Sequence, residues 1–139
     1  MSQQFTAKVN KSFYDKIDLL EQTAEEMLKD RFISIAQDAV TLSPVDTGAY
    51  VTSFSYKTNS SSRGRSKTSK NKPRGQNPEA KRREGLDNLV SDLNSIDLSE
   101  TKSVTLRNDS PHADSVEYGE NWPRTGGYFV FTQLRNRYG

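Results

Sequence analysis

Cysteine is absent from this chain of 139 residues, and histidine occurs once, as His112. Without cysteine there are no disulfide bonds, no thiolate nucleophile and no cysteine-based zinc or iron–sulfur site. A single imidazole also excludes multi-histidine metal centres and most acid–base relays. The sequence therefore predicts a protein of a reducing compartment that is not an enzyme and needs no metal ion or other cofactor.

Large apolar residues are scarce as well. Hydrophobic residues make up 32% of the chain, and its eight glycines raise that share to roughly 38%, below the roughly 45–50% of a typical globular domain. No apolar run approaches the roughly 20 residues of a membrane helix, and the start lacks the apolar stretch of a secretory signal. A net charge of only +2 argues against wholesale disorder. We expect a soluble domain with a small core and no membrane partner.

The small net charge hides an uneven distribution of basic and acidic residues along the chain. Between residues 57 and 83 the chain has ten lysines and arginines and one acid, so the remaining residues carry ten bases and seventeen acids, a balance of −7. Residues 58–77 contain no large apolar side chain, which predicts a flexible segment in the free protein. We interpret residues 1–139 as one domain that carries a basic arm at 57–80. The bases expected to contact a partner or DNA are Arg63, Arg65, Lys67, Lys70, Lys72 and Arg74.

The clearest helical pattern runs from Phe13 to Leu42, where apolar residues recur at three- and four-residue steps. Ser12 is placed to cap its start, and Pro44 disfavours helical angles at Ser43, so the helix should end near Leu42. About 30 residues would span about 45 Å. Two interpretations stay open: the helix packs part of its apolar face on a neighbouring subunit, or it overhangs its own core into solvent.

Local patterns also predict turns and strands. Pro44, Asp46 and Gly48 predict a turn in which Asp46 bonds the backbone two residues on and Gly48 takes a positive φ. Alternation over residues 50–57 predicts a strand with an aromatic face. Alternation around residues 104–106 predicts a short second strand that ends in another turn.

The second half of the chain predicts two more helical segments. Asn77 and Pro78 supply an N-cap and a first-turn proline for an amphipathic helix that reaches Ile96 and is weakened at Gly85. We interpret the apolar cluster of residues 128–138 as a strand that passes into a short helix. Together these elements predict an α+β fold: a long N-terminal amphipathic helix packed on a small antiparallel sheet, a second helix and a long basic insertion.

Two motifs flank the basic arm in a fixed order. The first contains Pro44, Asp46, Thr47 and Gly48; the second contains Asn108, Pro111, Ala113, Glu117, Tyr118 and Gly119. After a long helix, this order resembles the neck and tail-completion proteins of long-tailed bacteriophages, which typically show Pro-x-Asp-Thr-Gly and later Asn, Pro-Tyr-Ala and Glu-Tyr/Phe-Gly. The resemblance spans most of the chain. It departs at His112, where the family usually has tyrosine, and at residues 122–127, which only roughly match its Pro/Gly-containing turn.

The resemblance implies a structural virion protein, a ring-forming subunit that is usually hexameric and joins the connector to the tail tube. Such a subunit would be made in the host cytoplasm and would lie in the neck or at the top of the tail. Its partners would be further copies of itself and neighbouring connector, stopper, terminator or tail-tube proteins, with packaged DNA as a further candidate contact. Tail terminators share a similar architecture, so that role stays open as an alternative.

The basic arm leaves three interpretations open: docking on an acidic partner ring, lining a DNA channel, or a solvated loop without a partner. A nucleic-acid-binding accessory protein that acts through the arm is a further alternative. No aromatic residue occurs between residues 57 and 83, so the stacking platform of a single-strand binder is missing. The acidic body also argues against a broad duplex-binding face.

One cluster of polar side chains is a candidate chemical site. His112, Asp114 and Glu117 lie within six residues, but one imidazole and two carboxylates without a further ligand make a poor metal or acid–base centre. The better interpretation is a short turn of helix that carries Glu117 and Tyr118 and ends at Gly119.

Overall fold

A computed structural model describes residues 3–8, 21–58, 62–68, 73–119 and 127–139. In chain order the elements are β1 (Gln3–Lys8), α1 (Glu21–Leu42), a 3₁₀ helix (Val51–Ser53), β2 (Phe54–Lys57), α2 (Pro78–Asn94), β3 (Ser103–Asn108), α3 (Ala113–Tyr118) and α4 (Val130–Tyr138). The predicted α+β class is confirmed: within these ranges four α-helices accompany a three-stranded antiparallel sheet.

The sheet has the order β1-β3-β2, so the last strand in the chain is the central one. Phe5 and Tyr56 both lie opposite Leu106, and all three side chains are buried on the face that meets the helices. The alternate residues, among them Ser55 and Arg107, lie on the opposite face. The sheet therefore has an apolar inner face and a polar outer face. The sequence pattern did not predict β1.

Helix α1 ends at Leu42, as predicted. Its predicted first part, residues 13–20, and the cap at Ser12 lie outside the residues that the structure describes. Helix α1 packs against both α2 and α4. At its C-terminus the Arg82 guanidinium donates hydrogen bonds to the carbonyl oxygens of Val40 (3.1 Å) and Ser43 (2.9 Å). These bonds tie the Arg82 side chain of α2 to the backbone at the end of α1.

The predicted strand over residues 50–57 is wrong in its first half, since only Phe54–Lys57 is a strand and a 3₁₀ helix precedes it. The hydroxyls of Thr52 and Ser53 donate to the carbonyl oxygens of Gly48 (2.6 Å) and Ala49 (2.7 Å). Such local hydrogen bonds compete with strand pairing and hold the chain in a tight turn.

Helix α2 begins as predicted, because the Asn77 side chain accepts a hydrogen bond from the backbone N–H of Ala80 at 3.1 Å and Pro78 follows the cap. Gly85 has a packing role that its sequence position did not reveal. A Cβ atom there would lie 2.3 Å from the Val51 carbonyl oxygen. Glycine therefore lets α2 approach the 3₁₀ helix closely.

The predicted strand at the start of residues 128–138 is wrong. Helix α4 begins at Val130, and the preceding Phe129 has a left-handed φ of 52°. The backbone N–H groups of Tyr128 and Phe129 donate to the carbonyl oxygens of Val116 (2.8 Å) and Glu117 (3.2 Å) in α3. The segment is thus fixed on a helix end instead of a strand. Among helices in the described ranges, none has the length and apolarity needed to cross a membrane.

Candidate functional site

The basic arm enters the structure as residues 62–68, here called the basic strap, which lies against the outer side of β2. Its backbone N–H groups donate to side-chain oxygens: Gly64 to Asp109 (2.7 Å), Arg65 to Ser55 (2.8 Å) and Lys67 to Ser53 (2.7 Å). A Cβ atom at Gly64 would lie 2.6 Å from the Ser55 Cβ atom. The strap therefore approaches the strand as closely as glycine permits, and in the structure these residues have specific contacts with the folded body.

Arg65 is the centre of the strap's contacts. Its Nη1 and Nη2 atoms form a two-pronged ion pair with the Asp92 carboxylate of α2, with both distances 2.8 Å. Nη1 also donates to the Phe54 carbonyl oxygen at 3.0 Å, and Asp92 accepts the backbone N–H of Tyr56 at 2.9 Å. Arg65 is therefore part of the folded body, whereas the sequence pattern predicted a contact with a partner or DNA.

A buried ion pair lies beneath the strap. Arg107 donates to both carboxylate oxygens of Asp109, at 3.1 and 3.0 Å, and the two side chains are 6% and 0% exposed. Burial alone would raise the pKa of the Asp109 carboxyl, but hydrogen bonds from Arg107 and the Gly64 N–H outweigh it and hold that pKa below its ordinary value. The charged form of Asp109 thus anchors the strap to the end of β3.

The first motif forms a turn whose Gly48 has φ +83°, as predicted. Asp46 does not bond the backbone two residues on. Its carboxylate instead accepts two hydrogen bonds, from Nε of Arg74 at 2.7 Å and from the backbone N–H of Gly75 at 3.0 Å. The hydrogen bond from the Gly75 N–H, and to a smaller extent the one from Arg74, lowers the pKa of Asp46. Thr47 supplies the local bond, since its hydroxyl accepts the N–H of Ala49 at 3.2 Å.

The second motif reaches back to the first through Asn108, which is fully buried. Its Nδ2 atom donates to the carbonyl oxygen of Tyr50 at 2.8 Å, and its Oδ1 atom accepts the N–H of Ser110 at 3.0 Å. Tyr50 follows the first motif closely in the chain. The fold therefore joins two motifs that are separated by the whole basic arm in sequence.

Glu117 is buried and caps helix α4. Its Oε1 accepts the N–H of Phe131 (2.8 Å), and its Oε2 accepts the N–H (2.9 Å) and hydroxyl (2.7 Å) of Thr132. Gly119 ends α3 with φ 73°, as predicted, and Tyr118 before it is 48% exposed. The Glu117 carboxylate is thereby occupied by structural hydrogen bonds.

The cluster of His112, Asp114 and Glu117 does not converge on a site. Asp114 accepts a hydrogen bond from Gln3 Nε2 at 2.8 Å, while Glu117 faces α4. Within the described ranges, no group of three or more acidic, histidine or cysteine side chains could hold a metal ion. Two other motif residues have different surroundings: Ala113 is buried and Pro111 is exposed.

The six bases predicted as contacts divide into three groups. Arg65 and Arg74 form ion pairs with Asp92 and Asp46, although Arg74 is still 84% exposed. Arg63 and Lys67 are exposed on the strap. Lys70 and Lys72 lie outside the described residues. Lys67 also lines a cleft of about 120 Å³; the other lining residues are Thr47, Gly48, Ala49, Thr52, Thr68, Lys81 and Glu84.

No known protein family, curated protein or solved structure matches the chain.

Substitution of Gly48 tests the geometry of the first motif. We expect Gly48→Ala to lower the free energy of unfolding by about 1–3 kcal/mol, because alanine strains a positive φ and its Cβ atom would meet the Lys81 stem at 2.5 Å. Gly75→Ala is the matched control: φ is +68° there, but a Cβ atom has nothing within 4 Å. Equilibrium urea unfolding should show the larger loss of unfolding free energy for Gly48→Ala. Equal losses in the two variants would show that the contact with Lys81 contributes nothing.

Proposed function

We propose that this chain is a structural subunit of a bacteriophage virion, a ring-forming neck or tail-completion protein that joins the head connector to the tail tube. The observation that carries the proposal is the hydrogen bond from Asn108 of the second motif to the carbonyl oxygen of Tyr50, which follows Gly48 of the first motif by two residues. Motifs that the fold brings close together are more informative than the same residues scattered over a surface.

The chemistry of the motif residues supports a structural role. Gly48 and Gly119 supply left-handed turns, Asn108 ties two segments together and Glu117 caps a helix. The side chains of Asn108 and Glu117 are thus engaged in holding backbone. We also propose that the apolar face of helix α1 packs partly on a neighbouring subunit.

We assign partner contact to four bases of the arm, of which Lys70 and Lys72 lie outside the described residues. Arg63 and Lys67 are exposed and lie outside the ion pairs described for the strap, and Lys70 and Lys72 belong to the same basic run. The other parts of the chain carry an excess of acids, so like copies and acidic neighbours both attract this segment. We propose that these four bases contact the neighbouring ring.

Charge reversal of those four bases tests the proposal in assembling particles. The variant carries Arg63→Glu, Lys67→Glu, Lys70→Glu and Lys72→Glu. Because surface changes away from packed features usually alter stability by less than about 0.5 kcal/mol, the subunit should still fold. Heads and tails should then fail to join, since the reversed arm meets like charge. Electron microscopy counts the joined particles, and plaque titres measure infectivity.

Two controls define that experiment. Replacement of the same four bases by serine should give a weaker, salt-sensitive defect, and Lys102→Glu, an exposed base outside the arm, should give none. If the glutamate variant forms joined, infectious particles at the wild-type level, the arm has no role in joining heads to tails. A steep salt dependence of duplex binding by the isolated chain would instead favour the accessory nucleic-acid-binding alternative.

A further inference from the structure

The sequence around α2 changes its charge abruptly within the helix. Residues 66–84 contain seven lysines and arginines and two acids, a balance of +5, whereas residues 85–100 contain four acids and no base, a balance of −4. Helix stability does not account for this order, because bases stabilise a helix near its C-terminus and the last turn of α2 has none. The two ends of α2 therefore carry opposite charge for a reason that lies outside the helix.

At the C-terminal end of α2 there is a cleft of about 270 Å³ between this helix and α1, here called the acidic cleft. Leu93 and Leu98 in its lining are buried, whereas its acids are exposed or half-buried, so the apolar lining lies deeper than the carboxylates. Such a cleft suits a lysine or arginine side chain, whose stem packs on apolar surface while its charged end meets acids. The other lining residues are Glu25, Glu26, Lys29, Asn94, Ile96 and Asp97.

The acidic cleft keeps most of its negative charge. Lys29 is the only base in its lining, and its Nζ donates a hydrogen bond to the Asn94 side-chain oxygen at 2.5 Å. Three acids therefore face one base, a balance of −2. Asp97 stays ionised, because hydrogen bonds from the hydroxyl and the N–H of Ser99 lower the pKa of its carboxyl.

The smaller cleft of about 120 Å³ lies at the opposite end of α2. Lys67 of the basic strap and Lys81 of α2 both line it, and we call this surface the basic end. The Lys81 stem lies against Gly48, where a Cβ atom would come within 2.5 Å of it. Lys81 is 3.4 Å from the Glu84 carboxylate, and Lys67 is exposed. Two lysines from separate segments thus border one cleft beside the first turns of α2.

Within one molecule the two surfaces do not meet. Lys81 and Asn94 belong to the same helix, and at 1.5 Å per residue they lie about 20 Å apart along its axis. A lysine side chain is much shorter than that distance. Each chain therefore carries two complementary surfaces that only another molecule can bring together, and a second copy supplies the matching surface for each.

We propose that the acidic cleft of one copy receives the basic end of a second copy, so that Lys67 and Lys81 of one chain meet the carboxylates of the next. The inference rests on the proposed ring-forming function for its setting, and it names the surface that a base of the arm contacts. Contacts between unlike surfaces run head to tail, and they form a ring when the rotation between copies closes.

Charge exchange tests this contact in the purified full chain, whose weight-average mass is measured by light scattering at low ionic strength. The wild type should reach about twice the monomer mass or more as its concentration rises. E25K/E26K reverses the cleft and K67E/K81E reverses the basic end, so each variant should fall toward the monomer mass, because like charges then face one another. The chain with all four substitutions should recover the wild-type mass, since its exchanged charges are complementary again.

The matched control is D30K/D87K. It reverses two exposed acids that do not line the cleft, and it changes the net charge by the same amount as E25K/E26K. Its mass should equal that of the wild type. Circular dichroism checks that each variant folds. If a reversed variant does not fold, E25Q/E26Q and K67Q/K81Q replace the reversals, and each should reduce the mass by a smaller amount.

Three results would overturn the inference: a wild-type chain that keeps the monomer mass, a folded set of cleft and basic-end variants that keeps the wild-type mass, or a control that loses mass as they do. A folded fourfold variant that stays monomeric would also overturn it. Head–tail joining is measured separately, in particles with the arm variants. The proposed function can therefore fail while this contact stands, and a monomeric wild-type chain would refute the contact alone.

Discussion

Glu117→Ala is expected to lower the free energy of unfolding by about 3–5 kcal/mol, which is a large part of the stability of a domain of this size. The substitution removes the only described acceptor for the N–H groups of Phe131 and Thr132 and for the Thr132 hydroxyl. Because Phe131 is buried, its N–H gains no water in exchange. Thermal unfolding monitored by circular dichroism should show a decrease in Tm of about 10–20 °C.

Two further variants separate the carboxylate from its neighbours. Glu117→Gln keeps one acceptor oxygen and should cost less than alanine, and Thr132→Val, which removes only the hydroxyl, should cost about 1 kcal/mol. Glu79→Ala, at an exposed acid in the first turn of α2, serves as the surface control. A Glu117→Ala chain that unfolds at the wild-type temperature would show that α4 does not depend on this cap.

Arg107→Ala is the second substitution with a large expected effect, again about 3–5 kcal/mol, because it leaves the Asp109 carboxylate buried without its cation. The same change loosens the basic strap, whose Gly64 N–H is bonded to that carboxylate. Urea unfolding measures the loss, and hydrogen exchange at Gly64, Arg65 and Lys67 measures the strap. Arg137→Ala, which breaks an ion pair on the surface, should cost less than about 1 kcal/mol.

The role of the ion pair is also tested by how the difference in unfolding free energy between wild type and Arg107→Ala depends on pH. The pKa of Asp109 lies below its ordinary value in the folded protein, so its ion pair stabilises the fold above the unfolded-state pKa of about 3.9. That contribution disappears as the pH falls through the lowered folded-state value. The gap between wild type and Arg107→Ala should therefore shrink in acid, and a gap that is independent of pH would contradict the role of the pair.

Features set by neighbouring residues were predictable from sequence. The end of α1 before Pro44, the cap at Asn77, the positive φ of Gly48 and the helix end at Gly119 all depend on signals within a few positions. Turn and cap preferences are local, so a single sequence carries them. The α+β class followed from the same signals.

Features set by distant residues were not predictable. Strand β1 has a largely polar sequence, QQFTAK, and exists through its pairing with β3 about 100 residues away. Glu117 looked like an ordinary helical acid, because its cap contacts lie 14 and 15 residues further on. Arg65 looked like one base among ten. The only signal for its position was the serine alternation at Ser53 and Ser55, which marks a polar strand face that something must cover.

The order of the strands also decides when the sheet can form during synthesis. β3 pairs with both β1 and β2, and it is the last of the three to leave the ribosome. Until residue 108 has emerged, neither earlier strand has its neighbour, so β1 is unpaired from residue 8 onward and β2 from residue 57 onward. Sheet formation must then close loops of about 50 and 100 residues, which slows folding relative to a hairpin. Nascent chains stalled before residue 103 should accordingly lack the sheet, and a chaperone has its longest opportunity to bind during that interval.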